Sequence, residues 1–385
     1  MRIVGLSAIC LLLIIGHTFA QSTVTGAISG TVTDPQGGVV PNASVTVTNV
    51  GTNAKTVVTS NGSGEYRANN LQPGTYTVEV SSGGFAPAKA ENVKVEVGQT
   101  LSLNIPLSVG TAVAEVKVTA DAPTINTEDN SHSININQTS INELPINGRK
   151  ASTFVLGTPG VVPDGGFGLY SFRGISGLLN NSTVDGGDDN QAFFSEARGR
   201  TRISYSISLD AVREFSVNTS NYSAEFGRAA GGVVNTVTKS GTNNYHGSAF
   251  IYDRDNKWGA RNPLATQTIA TPTGNQIIGI KPKDTRYQFG GSVGGRLIKD
   301  KLFFFFSYDE QRRNFPGVAI TGSPTFLNPI TVPGLTADQV TAGIAYITSL
   351  TGVVPRKGNQ RLFLPKIDWV INKNNTFSVV YNRMR

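Results

Sequence analysis

Ala229-Ala-Gly-Gly-Val-Val-Asn-Thr-Val-Thr-Lys-Ser-Gly241 is the stretch on which the fold turns. Val233, Asn235 and Val237 alternate with Val234, Thr236 and Thr238, which predicts a short strand fed by a tight glycine corner at Gly231-Gly232. Paired glycines let a backbone take positive φ or come very close to a neighbour. Three further glycine elements precede it in order: Ser171-Phe-Arg-Gly174, Val184-Asp185-Gly186 and Glu225-Phe-Gly-Arg228. One such pair would mean little, but the ordered series is specific.

That series resembles the plug domain of TonB-dependent outer-membrane receptors and covers roughly the middle third of the chain. The resemblance assigns plug roles to Arg173, Gly174, Asp185, Gly186, Gly227, Gly231, Gly232, Asn235 and Lys239. It places the region around Asp185 close to the face where substrate is met, so Asp188, Asp189 and Asn190 become ligand-contact candidates. Two departures mark a divergent branch. The Gly-Pro pair common before the corner is replaced by Asn218-Thr-Ser-Asn221, and Phe226 stands where tyrosine is usual.

Met1–Ala20 reads as a secretory signal, with Arg2 at its charged start, an apolar core from Leu6 to Ile15, and Thr18-Phe19-Ala20 as a small-residue cleavage site. Its apolar run is too short to span a bilayer as a helix. The single cysteine, Cys10, lies inside it, so the mature chain has neither a disulfide framework nor a cysteine metal site. No later segment is apolar for the length of a transmembrane helix, and any membrane role must therefore fall to strands. At the other end Phe377, Val379 and Tyr381 alternate with Ser378, Val380 and Asn382, and the chain stops within that pattern at Arg383-Met-Arg385, which reads as a truncated barrel.

Hydrophobic residues make up 38% and charged residues only 15%, with 43 glycines, a balance that favours a β-rich, turn-rich extracytoplasmic protein over a helical enzyme. The formal net charge of +7 is scattered, and no dense Lys/Arg run interleaved with aromatics points to nucleic acid.

Residues 21–110 form a first unit. Ala27–Thr33, Ala43–Thr48, Tyr76–Val80 and Val93–Val97 alternate, with Asp34-Pro-Gln-Gly-Gly38, Asn61-Gly62, Pro73-Gly74 and Gly83-Gly84 as turns. Short strands at this spacing predict a small β-sandwich, with Ile28, Val32, Val45, Val47, Tyr76, Val78 and Val80 in its core. The runs Ser29–Asn49 and Gly64–Phe85 resemble carboxypeptidase regulatory-like domains, which are transthyretin-like sandwiches. The unit holds no histidine, and with no zinc-ligand pair it carries no peptidase chemistry.

Residues 111–145 turn polar and read as a linker. Within it Ala114-Glu-Val-Lys-Val-Thr-Ala120 resembles the TonB box, which assigns Glu115, Val116, Lys117, Val118, Thr119 and Ala120 to the grip of a TonB-type energising protein. An alternating strand on a tether can add to a partner's sheet edge. A last sandwich strand is the competing reading, since Val116 and Val118 would serve it equally well. The plug then occupies 146–244, and 245–385 the first strands of a barrel.

From Tyr245 the strands lengthen. Tyr287, Phe289 and Val293 oppose Arg286, Gln288 and Ser292; Phe363, Ile367, Trp369 and Ile371 oppose Lys366 and Asp368. Apolar-out, polar-in alternation over about ten residues suits a membrane barrel. Lys299-Asp300 and Lys373-Asn374 read as short periplasmic turns, Ala260–Lys283 and Phe315–Gly358 as long loops on the other side. The run Phe303–Phe306 breaks the alternation.

Chemistry is sparse. His132 and His246 are far apart in sequence, no P-loop or dinucleotide fingerprint occurs, and Ser171 and Ser176 lie outside any nucleophile elbow. Asp185–Asn190 clusters carboxylates with glycines but lacks the ordered spacing of a calcium loop. No catalytic residue, metal or cofactor is assigned.

The expected fold is mainly β: an N-terminal transthyretin-like sandwich, a small α/β plug, and the first strands of an antiparallel transmembrane barrel. The resemblance implies a plugged transporter in the outer membrane with its first domain in the periplasm. Its partners would be outer-membrane lipid, the barrel-assembly machinery and the energising protein. Its substrate would be a large or scarce solute, left open among oligosaccharide, peptide and metal chelate. The rival is a secreted or surface adhesin whose sandwiches bind carbohydrate or protein.

Overall fold

The computed structural model describes residues 24–110, 114–116, 132–146, 149–165, 169–190, 205–271, 274–319, 331–373 and 375–385. The signal-like segment and Lys117–Ala120 lie outside the described residues.

The turns read from sequence cut the first unit into short strands: β1 (Gly26–Thr33), β2 (Ser44–Asn49), β3 (Lys55–Thr59), β4 (Glu65–Leu71), β5 (Gly74–Ser81), β6 (Phe85–Ala86), β7 (Ala88–Val95), β8 (Thr100–Ser102), β9 (Ile105–Pro106) and β10 (Ser108–Val109). One sheet runs β4-β1-β8 with β9 also on β1; the facing sheet runs β7-β5-β2-β3. The inward residues of both sheets form one core in which Ile28, Val32, Val45, Val47, Tyr76, Val78 and Val80 are all buried, as the alternation predicted. Asn92, at φ 59°, sits in a bulge where β7 slips register against β5. A further strand, β11 (Ala114–Val116), pairs in parallel with Ala88–Ala90 of β7 and extends the second sheet by one.

The middle unit is built on a five-stranded sheet. Its strands are β12 (His132–Ile136), β15 (Asn181–Val184), β16 (Gly187–Asp188), β17 (Val212–Ser220) and β18 (Val233–Thr238), in the order β12-β17-β18-β15-β16. A hairpin of β13 (Val161–Asp164) and β14 (Leu169–Phe172) and two short helices, α1 (Gln138–Glu143) and α2 (Ala151–Val155), cover it. The Asn137 side chain caps α1, accepting from the Ser140 N–H at 3.1 Å. Residues 132–143, read as linker from their composition, thus belong to this unit: Ile134 and Ile136 lie opposite Val217 and Phe215.

The third unit is a curved antiparallel wall. Its strands are β19 (His246–Asp255), β22 (Thr285–Ile298), β23 (Leu302–Asn314), β26 (Gln360–Asn372), β27 (Asn375–Val380) and β28 (Arg383–Met384), with β28 and β27 both paired to β26. The long connections carry small structures of their own. Strands β20 (Thr266–Thr271) and β21 (Gly274–Gly279) form a hairpin, β24 (Gly317–Ala319) pairs β25 (Gly352–Val354), and α3 (Ala337–Ser349) starts at a capping box between Thr336 and Gln339. The wall is an open sheet.

Alternation explains the wall's two faces. Phe303, Phe305, Ser307, Asp309 and Gln311 are buried toward the middle unit, as are Gln360, Leu362, Leu364, Lys366 and Asp368. Tyr287, Val293, Phe306, Phe363, Ile367, Trp369, Phe377 and Val379 stand exposed on the outside. The run Phe303–Phe306 keeps the period of two after all: Phe303 and Phe305 are buried, whereas Phe304 is half-buried and Phe306 exposed on the other face. Phe305 and Leu364 share one core with Phe154, Phe172, Phe215 and Val234, so the middle unit and the wall pack as a continuous body.

Candidate functional site

The contact between the middle unit and the wall concentrates the buried polar groups. The Arg-Gly and Asp-Gly pairs shape it first. Arg173 and Gly174 have φ of 54° and 84°, Asp185 and Gly186 of 47° and 78°; two successive left-handed residues make the tight turn that reverses a chain over two residues. The first closes with Ile175 N–H donating to the Phe172 carbonyl at 2.9 Å, and the second joins β15 to β16. Arg173 also donates from Nη1 to Ser220 Oγ at 2.5 Å.

Gly231 and Gly232 do not have positive φ. They are glycines for closeness. A Cβ on Gly231 would lie 2.2 Å from Asn180 Oδ1, and one on Gly232 2.5 Å from Cγ of the buried Phe172 ring. Asn180 ties the corner, donating to the Tyr170 carbonyl at 2.8 Å and accepting from Gly232 N–H at 3.1 Å. Gly227 has open space around its Cα and offers its carbonyl to Asn181 Nδ2 at 2.7 Å. Asn235 is fully buried and accepts from Thr183 Oγ1 at 2.8 Å.

Asp185 reaches beyond its turn. It accepts from Thr238 N–H at 2.9 Å and Thr238 Oγ1 at 2.5 Å, while Lys366 Nζ, on the wall, lies 3.8 Å from the same carboxylate and 3.1 Å from Thr238 Oγ1. The turn is thereby pinned to the wall by an ion pair removed from water. Lys239, next in sequence, donates its N–H to the Ala211 carbonyl at 2.8 Å; burial pushes its ammonium below the usual lysine range.

The ligand-contact candidates separate. Asn190 is buried and spends its amide internally, on Asn181 Oδ1 at 2.7 Å and on the Ser182 N–H at 3.0 Å. Asp189 is buried and accepts from Ser206 Oγ at 2.7 Å. Asp188 alone is open to solvent, paired to Arg228, and its carboxyl is held below the usual range first by the Asn190 N–H.

A second anchor escaped the sequence reading. Asp309, fully buried on β23, accepts from Tyr205 OH at 2.6 Å, Ser208 Oγ at 2.7 Å and Gln288 Nε2 at 3.1 Å. Burial, and then the Asp309 charge, drive the Tyr205 phenol well above its ordinary pKa, so it stays a donor. Gln360 donates to the Tyr205 carbonyl and Asn382 Nδ2 to that of Ser206 at 3.0 Å. Asp309 sits in the run Asp309-Glu-Gln-Arg-Arg313; the signal was its parity with Phe303 and Phe305.

The sandwich is tied on at two places. Glu214, buried on β17, accepts from Val97 N–H at 2.6 Å, and burial pushes its carboxyl up to about 7. Asn135 Nδ2 reaches the Val97 carbonyl at 3.1 Å and Glu96 at 3.2 Å. At the β22–β23 turn, Asp300 accepts from Asn53 Nδ2 at 2.9 Å and Asn243 Nδ2 at 2.7 Å, while Asn243 N–H donates to the Gly51 carbonyl at 2.8 Å. A cavity of about 380 Å³ lies between these ties, lined among others by Gly51, Arg213, Thr242 and the Asp185–Lys366 pair.

Two family models match parts of this chain. The carboxypeptidase regulatory-like domain matches residues 27–108 and the outer membrane beta barrel domain matches 237–329. The TonB-dependent transporter Oar of Myxococcus xanthus is 30% identical over 298 residues, covering 74% of this chain and 26% of its own length. The chain thus spans about a quarter of that relative. Among solved structures, the outer membrane transporter YddB from Escherichia coli aligns over 64% of this chain and 32% of its own, at 14% identity and a TM-score of 0.45. The siderophore receptor PirA from Acinetobacter baumannii aligns over 66% and 31%, at 17% identity and 0.41. By the sequence match and the two domain matches, this chain is similar to the TonB-dependent transporter Oar, with a carboxypeptidase regulatory-like domain match at its N-terminal end and an outer membrane beta barrel domain match after it.

Proposed function

We propose that the protein carrying this chain takes up a large or scarce solute through a barrel closed by the plug of residues 132–244. The observation that carries this reading is the wall's division of labour: aromatic and aliphatic side chains outward, and inward a buried polar set, Asp309, Gln288, Gln360 and Lys366, spent on the plug. Such a plug is held by bonds that can be broken and remade, whereas the outer face suits hydrocarbon. An adhesin module has no use for that outer face, which as an exposed apolar surface would favour aggregation in water.

In this reading the sandwich sits in the periplasm, bonded to the short turn at Asp300, and the long connections carrying β20–β21 and α3 rise on the opposite side. Energy comes from a TonB-type partner that takes Glu115–Ala120 by strand addition. The backbone of Ala114–Val116 already pairs in parallel with β7, so the partner competes with the sandwich edge for the same strand. Asp188 is a solute contact at the plug's open edge.

The test is Val116→Pro in the full-length protein. Proline removes a backbone donor and blocks strand addition. Energised uptake is expected to vanish while solute binding to isolated outer membranes stays unchanged. Uptake at the wild-type rate would sink the coupling role of this segment.

A further inference from the structure

Arg213 is the extra residue of a bulge in β17: Val212 stands opposite Thr238 and Glu214 opposite Val237, which leaves Arg213 unmatched in the ladder with β18. A bulge re-aims a side chain that regular pairing would point elsewhere. Here the guanidinium reaches the sandwich, where Nη2 lies 3.6 Å from the place a Cβ on Gly74 would occupy. A glycine at the start of β5 therefore leaves the guanidinium its room.

The pocket it lines lies between the sandwich and the plug. It holds about 380 Å³ and shares Arg213, Ser240 and Thr242 with the cavity beside the Asp185–Lys366 pair. Lys239 joins it from the residue after β18, set beside the bulge by its N–H bond to the Ala211 carbonyl. Both cations are half-buried, and among the described residues neither the Arg213 guanidinium nor the Lys239 ammonium makes a hydrogen bond or an ion pair. Burial lowers the pKa of each; for Lys239 the charges of Arg149 and Arg213 add to that effect against the pull of Asp210. The carboxylates nearby are engaged. Asp210 accepts from Ser248 Oγ at 2.8 Å, Glu214 from Val97 N–H at 2.6 Å and Glu96 from Asn135 Nδ2 at 3.2 Å. Lys94, exposed on the sandwich side, adds a third positive charge to the lining.

Withdrawing a charge from water is costly unless oxygens meet it, and two such cations on one pocket repel each other as well. A guanidinium fork matches paired oxygens, and an ammonium meets a further one as a point charge. We propose that this pocket is an oxyanion site that takes inorganic phosphate or a small phosphate ester, held by Arg213 and Lys239 with the hydroxyls of Ser240 and Thr242 as further donors. The lining comes from both sides of the seam, with Thr75 and Lys94 on the sandwich, so a tetrahedral ion with oxygens all round meets it better than a planar carboxylate does. An ion bound there ties the sandwich to the plug, beside the bond from Val97 to Glu214. The site stands apart from whatever solute the barrel passes.

The experiment titrates inorganic phosphate, glycerol phosphate and acetate into the full-length protein in detergent at fixed ionic strength. Phosphate is expected to bind and acetate is not. Binding of glycerol phosphate as well shows that the pocket takes an ester group, and binding of phosphate alone that it takes the free ion; either supports the site. Arg213→Gln and Lys239→Gln should each weaken phosphate binding at least about tenfold, as loss of a charged hydrogen bond predicts. Arg213→Lys should recover part of the loss, and Lys55→Gln, on a sandwich strand that does not line the pocket, should leave binding unchanged. Phosphate should also slow hydrogen exchange at Val97, and that slowing should vanish in Arg213→Gln. Neither cation makes a hydrogen bond in the free protein, so both variants should fold, and unaltered heat-modifiability checks that they do. No phosphate binding, acetate binding equal to that of phosphate, or phosphate binding that survives both substitutions would overturn the site, while energised uptake remains the separate measure of the transporter reading.

Discussion

Gly232→Ala tests whether the glycine corner exists for closeness. The added methyl would meet Phe172 Cγ, Cδ1 and Cδ2 at 2.5, 2.6 and 2.6 Å, against the roughly 3.5–4.0 Å of an ordinary carbon contact, so the ring has to retreat by about 1 Å. Retreat is obstructed: Phe172 is fully buried, and Tyr170 packs edge-on against it at 5.3 Å. The backbone cannot yield either, since Gly232 N–H donates to Asn180 Oδ1 at 3.1 Å and its carbonyl accepts from Asn181 N–H at 3.0 Å. Overpacking of this kind costs about 1–3 kcal/mol, which raises the opening of β18 about five- to hundred-fold. Hydrogen exchange of Val233–Thr238 in the detergent-solubilised full-length protein reads that change directly. Phe172→Leu should partly rescue it, giving a coupling of about 1 kcal/mol in a double-mutant cycle. Gly227→Ala, with nothing within 4 Å of its Cβ, should be neutral. Wild-type exchange in Gly232→Ala, or strictly additive effects with Phe172→Leu, would refute the reasoning.

Residues 24–109 expressed alone should unfold cooperatively, because their core is complete within them; a gradual melt that differs between far- and near-ultraviolet dichroism would reject that boundary. Docking of the sandwich on the plug should depend on pH through Glu214. Its carboxyl is raised to about 7 by burial, so docking is strongest below about pH 4.5, weakens as pH climbs to about 7 and is flat above, a span of up to about 3 kcal/mol. Glu214→Gln should abolish that dependence, and protease sensitivity of the β7–β8 turn at pH 5 and pH 8 measures it. Asp309→Ala strands the buried donors of Tyr205, Ser208 and Gln288 and should loosen the plug by about 3 kcal/mol; an unchanged guanidinium midpoint for plug unfolding would count against the anchor.

Local chemistry was legible where turn residues announce themselves. Arg173-Gly174 and Asp185-Gly186 could be read as turns because glycine follows a residue driven to positive φ. Gly231-Gly232 could be read only as a special corner, since whether a glycine serves φ or proximity depends on Asn180 and Phe172, which lie far back in the sequence. His132–Ile136 was hidden by its serine and asparagine: Asn135 looks like linker until its amide meets Val97 and Glu96 of the sandwich. Asp309 carried a signal in its parity with Phe303 and Phe305, but its partners Tyr205, Ser208 and Gln288 depend on strand register, which is fixed by pairing distant in sequence.

The order of the plug sheet has a mechanical consequence. β12, the first strand of the plug sheet in chain order, is one of that sheet's two edge strands, and its register against β17 slips between His132 and Ser133, at its N-terminal end. In the transporter reading proposed above, tension delivered ahead of His132 would load the sheet at this edge strand, whose bonds fail one after another. Asp185 and Thr238, clamped to Lys366, lie deeper in the sheet on the far side of β17. On that reading a force on β12 would unzip one ribbon of the stopper while the rest stays moored to the wall through Asp185, Thr238 and Lys366.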